Sequence, residues 1–259
     1  KTATPPVVLC HGWPELAYSW RHQIRDLAAA GIRVIAPDQR GYGGTDRPEA
    51  VEAYDLESLT GDHVALLDHL GIDRAVYAGH DWGGFVVWQM PIRHPARVAG
   101  VAGLNTPHLP RSPIDPIESF RKRFGDSMYI VQFQSPAREP DRIFAANVEK
   151  TFQFFMRRPM SRPAPPATPP ASGAAPAINL AFPQMVQAYD PAKDPRPAIL
   201  SADELQVYVD TFTQTGFTGG INWYRNFTRN WQRSADLDHI IRVPCLMIMA
   251  ENDAVLPPS

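Results

Sequence analysis

Three short apolar runs in the first third of the chain each end in a loop that contains glycine. The runs are residues 7–10, 34–36 and 75–78, and the loops begin at His11, Pro37 and Gly79. Short apolar runs bounded by turn residues are typical of buried strands, and patterns with helical spacing lie between them. We therefore predict an α/β fold: a mostly parallel sheet with helices on both faces and all three loops at its carboxyl edge, where ligands bind.

The helices between these strands can be bounded from their apolar spacing and their end signals. The first has a plausible N-cap at Ser19 and a stop at Gly31. The second runs from about 56 to 70, with Asp55 as its cap. A third follows the last of the three loops. It contains Pro91, which removes a helical hydrogen bond and predicts a kink.

The strand pattern continues over residues 98–104 and then stops until residues 243–250. Between these two strands, apolar residues recur at helical spacing. The run Ser201-Ala202-Asp203-Glu204 has the form of a capping box that opens a helix. The pattern therefore predicts a helical insertion that covers the carboxyl edge of the sheet.

This reading divides the chain into a core and a cap. The core consists of residues 1–109 and 241–259, and the helical cap consists of residues 110–240. Within the cap, residues 157–197 are rich in proline and alanine, so we expect an irregular loop there. Both ends of this loop stay inside the cap, which favours a loop of the cap over a linker between domains.

Composition narrows the class of protein. A chain of 259 residues with 44% hydrophobic residues can bury a full-sized core. The net charge of −2 gives no electrostatic reason to bind nucleic acid or an anionic membrane, and no apolar run is long enough for a membrane span. Cys10 and Cys245 each lie in an apolar run, so we expect two buried free thiols and a cytoplasmic protein.

The third loop places an acidic side chain on a strand-to-helix turn. In Gly79-His80-Asp81-Trp82-Gly83-Gly84, the glycines leave room for a sharp turn that lifts Asp81 into the open. An aspartate between glycines is more often a turn former or a helix cap. The two other loops at the same edge favour a nucleophile instead. A carboxylate that attacks an sp³ carbon forms an alkyl ester, so the substrate carries a strained or displaceable C–O or C–halogen bond.

Several motifs together resemble the epoxide hydrolases of the α/β-hydrolase superfamily, the soluble type in particular. They are His11-Gly12-Trp13-Pro14, Gly41-Tyr42-Gly43, the 79–84 turn, Leu104-Asn105-Thr106-Pro107, Gly216-Phe217 and Asn222-Trp223-Tyr224-Arg225-Asn226. Each motif is weak alone, but their order and placement are specific. The resemblance covers most of residues 7–253. It implies an α/β-hydrolase fold, conversion of epoxides to vicinal diols, and no metal or organic cofactor.

The resemblance also gives two tyrosines of the cap a role. Ring opening of an epoxide leaves an alkoxide, which needs a proton or a hydrogen bond. Tyr224 falls on the second of two family tyrosines that hold the epoxide oxygen, and Tyr129 resembles the first. Judged without the resemblance, tyrosines among tryptophans and phenylalanines are usually packing residues.

The remaining machinery is also implied by the resemblance. The backbone N–H groups of Trp13 and Trp82 are the oxyanion donors, and Asp253 is the acid that orients a catalytic histidine. His80 has a structural role. All eight histidines precede Asp253, and His239 is interpreted as structural. We therefore expect a chain that is incomplete at both ends, lacks the triad histidine and stalls at the alkyl-enzyme ester.

Two other functions stay open. Haloalkane dehalogenases share the aspartate followed by tryptophan, but they often place asparagine at the position of Trp13 to hold the halide. A chain without a base is also compatible with a non-catalytic ligand-binding or covalently trapped module. The expected partner is a small-molecule epoxide, with no nucleic acid and no membrane, and a homodimer stays open.

Overall fold

The computed structural model describes residues 4–158, 180–251 and 253. The strands within these ranges are β1 (Val7–Cys10), β2 (Val34–Ile35), β3 (Ala75–His80), β4 (Val98–Leu104) and β5 (Cys245–Ile248). They form one sheet in the order β2-β1-β3-β4-β5, and every pairing between neighbours is parallel. The carboxyl ends of the strands therefore lie along one edge. This architecture confirms the predicted fold class.

Three helices connect the strands in the first part of the chain. They are α1 (Arg21–Ala29), α2 (Leu56–His69) and α3 (Trp82–Arg93). The predicted cap of α2 is confirmed, because the Asp55 carboxylate accepts the N–H of Ser58 at 2.9 Å. Such a cap satisfies one of the N–H groups that the first turn of a helix leaves unpaired.

One local prediction about these helices is wrong. Ser19 does not cap α1, because residues Ala17–Trp20 form a short 3₁₀ helix first. Its hydroxyl instead shares a hydrogen bond of 2.8 Å with the hydroxyl of Tyr208, 189 positions away. Pro91 lies inside α3, which continues to Arg93, and the kink at this residue stays a prediction. Pro91 is buried and close to the helix end, so packing holds the last turn in place.

One apolar core lies between the sheet and its connecting helices. Its buried members include Val8, Cys10, Leu67, Tyr77, Val87, Trp88, Met90 and Val101. Cys10 is thus buried as predicted, but the same prediction for Cys245 is wrong, since this thiol is exposed. Cys245 lies on β5, which has a paired neighbour on one side only in the part of the sheet that is described.

Helices occupy the chain between β4 and β5, and we call residues 110–240 the helical region. Its helices are α4 (Pro116–Phe124), α5 (Tyr129–Gln132), α6 (Glu139–Ala146), α7 (Val148–Phe155), α8 (Phe182–Ala188), α9 (Ala202–Thr215), α10 (Thr218–Arg225) and α11 (Phe227–Arg233). The predicted capping box of α9 is confirmed: Ser201 Oγ accepts the N–H of Glu204 at 3.2 Å, and the Glu204 carboxylate accepts the N–H of Ser201 at 2.8 Å.

The structure describes only part of the proline- and alanine-rich stretch, residues 157–197. Residues 159–179 lie outside the described ranges. Downstream of them the expectation of an irregular loop is wrong, because Phe182–Ala188 form α8. Pro183 stands in the first turn, where proline is favoured in a helix, and Val186 is buried. Composition records how many prolines a segment has but not where they fall in a helix.

A second and larger apolar core joins the helical region to the carboxyl edge of the sheet. It includes Trp13, Tyr42 and Trp82 from the edge loops together with Tyr129, Phe133, Trp223 and Tyr224 from the helices. Aromatic rings thus fill the space between the two parts. Among the described helices, none is long and apolar enough to cross a membrane.

Candidate active site

The strand-to-helix turn holds Asp81 in a backbone conformation that few side chains adopt. β3 ends at His80 and α3 begins at Trp82, and Asp81 between them has φ 53° and ψ −122°. A non-glycine residue at such a φ is strained by roughly 1–3 kcal/mol, and the surrounding structure must hold it there. The hydroxyl of Thr106 helps by donating to the Asp81 carbonyl at 2.8 Å.

The glycines around this turn are required by contact. A Cβ on Gly79 would lie 2.2 Å from the carbonyl oxygen of Gly83, and one on Gly83 would lie 2.0 Å from that of Cys10. A Cβ on Gly12 would lie 2.4 Å from the Cβ of Asp81 itself. A side chain at any of these three glycines would therefore displace the turn or the Asp81 side chain.

Two backbone N–H groups hold the Asp81 carboxylate. The N–H of Trp13 donates to Asp81 Oδ1 at 2.8 Å, across 68 positions of sequence. The N–H of Trp82, the residue directly after Asp81, also lowers the pKa of this carboxylate. The structure thus brings together the nucleophile candidate and both of the N–H groups that the sequence nominates as oxyanion donors.

Burial raises the pKa of Asp81 to about 6. The positive charge of His80 and the N–H groups of Trp13 and Trp82 act in the opposite direction, and the charge of Glu15 adds to the rise. Asp81 is half-buried, so its carboxylate loses much of its hydration, and the donors compensate only in part. The side chain is therefore ionised at neutral pH but close to its titration range, as suits a nucleophile with little hydration to shed.

A pair of charges beside Asp81 was missed by the sequence reading. The Glu15 carboxylate accepts the N–H of Gly12 at 2.7 Å and lies 3.3 Å from Nδ1 of His80. Burial lowers the pKa of His80, but the hydrogen bond and charge of Glu15 outweigh it and raise the value to about 9. His80 is thus a cation at neutral pH. The available signal was a glutamate directly after the His-Gly-Trp-Pro motif.

His11 ties two of the edge loops together. Its Nδ1 pairs with the carbonyl of Gly12 at 2.9 Å, and its Nε2 accepts the N–H of Gln39 at 3.1 Å. The ring is fully buried, and burial lowers its pKa. It links the loop after β1 to the loop after β2. His11 therefore supports the strand-edge loops and does not face the solvent as a base.

The two nominated tyrosines lie in the same aromatic enclosure as Asp81. Tyr129 on α5 and Tyr224 on α10 are 6% and 3% exposed, and their ring centroids are 5.7 Å apart. The Tyr224 ring lies 5.1 Å from that of Trp82 and 5.9 Å from that of Trp13. Trp13 and Trp82 therefore both contact Tyr224 edge to face.

Burial raises the pKa of both phenols, and the negative charge of Asp81 raises each further. A hydrogen bond with Tyr224 acts in the opposite direction on Tyr129. The shared influence of Asp81 places both hydroxyls within its electric field. Both tyrosines keep their protons at neutral pH and can donate to an oxygen between them and the carboxylate.

Asp253 follows β5 at the same edge of the sheet. Its charge raises the pKa of His80 and of Tyr129, which puts the carboxylate near both. The end of β5 is tied to the end of β4, because Asn105 Oδ1 accepts the N–H of Ala250 at 2.9 Å. His239 pairs through Nε2 with the carbonyl of Ser234 at 3.0 Å. It belongs to the connection that precedes β5.

The described residues also contain no group of three or more histidine, cysteine, aspartate or glutamate side chains arranged to hold a metal ion. The chemistry available at this site is that of a half-buried carboxylate, two protonated phenols, a charged imidazole and backbone N–H donors. Together they suit attack on an electrophilic carbon whose leaving oxygen takes a proton.

Comparison with known proteins identifies the family. Residues 5–259 match the family described as the alpha/beta hydrolase fold. The chain is 49% identical to Epoxide hydrolase A of Mycobacterium tuberculosis over 256 residues, which cover 97% of this chain and 76% of that protein. It is 39% identical to Bifunctional epoxide hydrolase 2 of Sus scrofa, over 98% of this chain and 44% of that protein.

Solved structures agree. Epoxide Hydrolase A from Mycobacterium thermoresistibile matches with a TM-score of 0.78 and 40% identity, over 96% of this chain and 76% of that one. An epoxide hydrolase from Vigna radiata matches with a TM-score of 0.79 and 34% identity, over 97% and 75%. The chain therefore belongs to the α/β-hydrolase fold family and, within it, to the epoxide hydrolases. This confirms the resemblance drawn from the motifs.

Proposed function

We propose that this protein converts epoxides to vicinal diols through an alkyl-enzyme ester on Asp81. The observation that carries the proposal is the half-buried Asp81 carboxylate, which accepts the backbone N–H of Trp13 and lies close enough to two protonated phenols for its charge to act on both. A nucleophile and a proton donor for the leaving oxygen are the two groups that ring opening needs. Relatives named as epoxide hydrolases support the same reaction.

In the first step, one carboxylate oxygen of Asp81 attacks an epoxide carbon while the C–O bond of the ring breaks. Oδ1 stays on the N–H of Trp13 and becomes the carbonyl oxygen of the ester. The departing ring oxygen takes a hydrogen bond or a proton from Tyr129 or Tyr224. The N–H of Trp82, directly after the nucleophile, is the second donor to that carbonyl.

The electrostatics of the phenols change in step with the reaction. The charge of Asp81 raises the pKa of Tyr129 and Tyr224 in the resting protein. Ester formation removes that charge at the moment when negative charge develops on the ring oxygen. The phenols therefore become better donors when a donor is needed. This is the differential stabilisation of the transition state that accelerates a chemical step.

In the second step, water attacks the ester carbonyl, which the two N–H donors polarise. The acyl C–O bond then breaks, the leaving alkoxide takes a proton from the attacking water to complete the diol, and the Asp81 carboxylate is restored. The resemblance gives Asp253 the role of orienting the histidine that activates this water, and the 259-residue sequence has no histidine after Asp253. We also propose that the helical region, residues 110–240, acts as a cap on a core of residues 1–109 and 241–259. The cap supplies the tyrosines and the core supplies the nucleophile.

Intact-mass measurement after incubation with styrene oxide tests the ester. We expect an adduct of one equivalent that maps to Asp81 in rapidly quenched samples, and no adduct for Asp81→Asn. The carboxamide keeps the size of the side chain but is a poor nucleophile. An adduct of the same yield on the Asn variant would refute the assignment. Parallel incubation with haloalkanes distinguishes the alternative, because halide release without diol formation indicates a dehalogenase.

A further inference from the structure

We propose that a contact of bare backbone between the 40–42 loop and α10 sets the position of Tyr224 over Asp81. This contact, which we call the glycine seam, consists of Gly41, Gly219 and Gly220. The inference rests on the proposed function, because it concerns the rate of epoxide opening. It makes the two glycines of α10 positioning residues for that step.

The first half of the seam is a contact of main chain with main chain. A Cβ on Gly219 would lie 2.5 Å from the carbonyl oxygen of Gly41 and 2.7 Å from its Cα. A Cβ on Gly41 would lie 3.0 Å from the Cα of Gly219, and this residue has φ +93°. Neither backbone can retreat like the end of a flexible side chain. Any side chain at either glycine therefore has to separate α10 from the loop.

The second half of the seam joins α10 to the loop that holds the nucleophile. A Cβ on Gly220 would lie 2.4 Å from the hydroxyl oxygen of Tyr42 and 2.8 Å from Cδ1 of Trp13. The backbone N–H of Trp13 is the donor to Asp81 Oδ1. α10 thus packs directly against Trp13, the residue whose N–H binds the Asp81 carboxylate.

α10 carries this position to the phenol. Gly220 and Tyr224 are four residues apart, so they lie on one face of the helix, about 6 Å apart along its axis. The indole N–H of Trp223 donates to the carbonyl of Arg40 at 3.0 Å and anchors the helix to the same loop. A helix that moves away at Gly220 therefore takes Tyr224 with it.

The far end of α10 is fixed to the rest of the helical region. The Arg225 guanidinium pairs with the buried carboxylate of Asp141 and donates to the carbonyl of Phe133 at 2.9 Å. This anchor lies on the helical region and the seam lies on the sheet edge. The helical region holds α10 at Arg225, and the sheet edge holds it at the seam. A displacement at the seam therefore tilts α10 and shifts the Tyr224 hydroxyl relative to the reacting oxygen.

The experiment compares Gly220→Ala with the parent and with Gly61→Ala, all in the full chain. Gly61 lies inside α2, where a Cβ would meet nothing within 4 Å, so it is a matched glycine-to-alanine control. Ring opening is followed in a single turnover by tryptophan fluorescence and by quenched intact mass. A misplacement of about 1 Å costs up to about 10²-fold in rate, so we expect Gly220→Ala to open the ring 10- to 100-fold more slowly, and Gly61→Ala to match the parent.

Two further measurements separate positioning from loss of folding. The dissociation constant of the diol product is expected to change by less than about threefold in Gly220→Ala, because the aromatic enclosure persists. Adding Tyr42→Phe removes the oxygen that a Cβ would meet at 2.4 Å, so the double variant is expected to recover part of the lost rate. Ring opening at the parent rate in Gly220→Ala overturns the proposal, and so does an affinity for the diol that falls as far as the rate.

If Gly220→Ala does not fold, Trp223→Phe decides the matter, because it removes the hydrogen bond to Arg40 but keeps a ring. Ring opening slowed several-fold with unchanged affinity for the diol supports the seam, and the parent rate overturns it. The proposed function fails separately. If the parent and Gly61→Ala form no adduct with an epoxide, the reaction itself is wrong, whatever the seam does.

Discussion

The sheet edge and the helical region each bury acidic groups, with opposite results. Burial raises the pKa of Asp81 to about 6, just below the neutral range. Burial also raises the pKa of Tyr129 and Tyr224, and it moves these phenols further away from neutral pH. The same loss of hydration thus makes the nucleophile sensitive to pH and the proton donors insensitive to it. A proton donor and a nucleophile can share one dry space because their ordinary pKa values differ.

The two regions also hold their groups by different means. Asp81 is fixed by backbone N–H groups and by glycines that leave no spare room. Tyr129 is held by rings, such as Phe182, which stacks on it with centroids 4.5 Å apart. Hydrogen bonds to the main chain set direction within narrow limits, whereas edge-to-face ring contacts tolerate small rotations. We therefore expect the sheet edge to tolerate substitution less than the helical region.

The largest test of this comparison removes the phenols. Tyr224→Phe and Tyr129→Phe keep the ring contacts and delete only the donors, so the fold is expected to stay while ring opening slows. Loss of a general acid typically costs 10²–10⁴-fold, and each single variant is expected to lose less than the double variant because one phenol compensates for the other. Single-turnover rates measure this. Normal ring opening by the double variant would show that another group protonates the epoxide oxygen.

A smaller effect is expected from pH. Ring opening requires the Asp81 carboxylate, so its rate is expected to fall about tenfold per pH unit below the pKa of about 6. The phenols stay protonated throughout, so both single tyrosine variants are expected to be slower at every pH with the same midpoint. Single-turnover rates between pH 4.5 and 8 provide the profile. A flat profile down to pH 4.5 would mean that Asp81 has an ordinary pKa.

The smallest expected effect concerns stability. Because the pKa of Asp81 rises from 3.8 to about 6 on folding, its stability contribution is fully present below 3.8 and is lost as pH rises through 6. An ionised Asp81 therefore destabilises the fold at pH 8. At pH 8, the free energy of unfolding of Asp81→Asn is expected to exceed that of the parent by about 1–3 kcal/mol, as measured by urea titration. At pH 5 the difference is expected to be smaller. An equal difference at both pH values would contradict this explanation.

Features that depend on neighbouring residues could be predicted from the sequence. The turn at Asp81, the cap at Asp55 and the capping box at Ser201 depend on residues within a few positions, and the structure places them as expected. The strands were visible for the same reason, because a buried strand needs a short apolar run. The site could be located because three such strands end in polar loops at one edge.

Features that depend on distant partners could not be predicted. The Glu15 and His80 pair joins positions 65 apart, and the partner of Ser19 is 189 positions away. Contact between Gly41 and Gly219 leaves no trace in local spacing either. The cytoplasmic location, the homodimer and the limits of the cap stay predictions. They depend on surfaces and partners more than on the spacing of residues within an element.

The donors to the Asp81 carboxylate belong to the main chain, and this has a consequence for how the family can diversify. Every residue except proline carries a backbone N–H, so substitutions at positions 13 and 82 change the indole wall of the enclosure without deleting a donor. The side chains that line the enclosure and the N–H groups that polarise the proposed ester can therefore change independently. Substitution at these two buried positions costs packing at the sheet edge but leaves both N–H donors to the proposed ester in place.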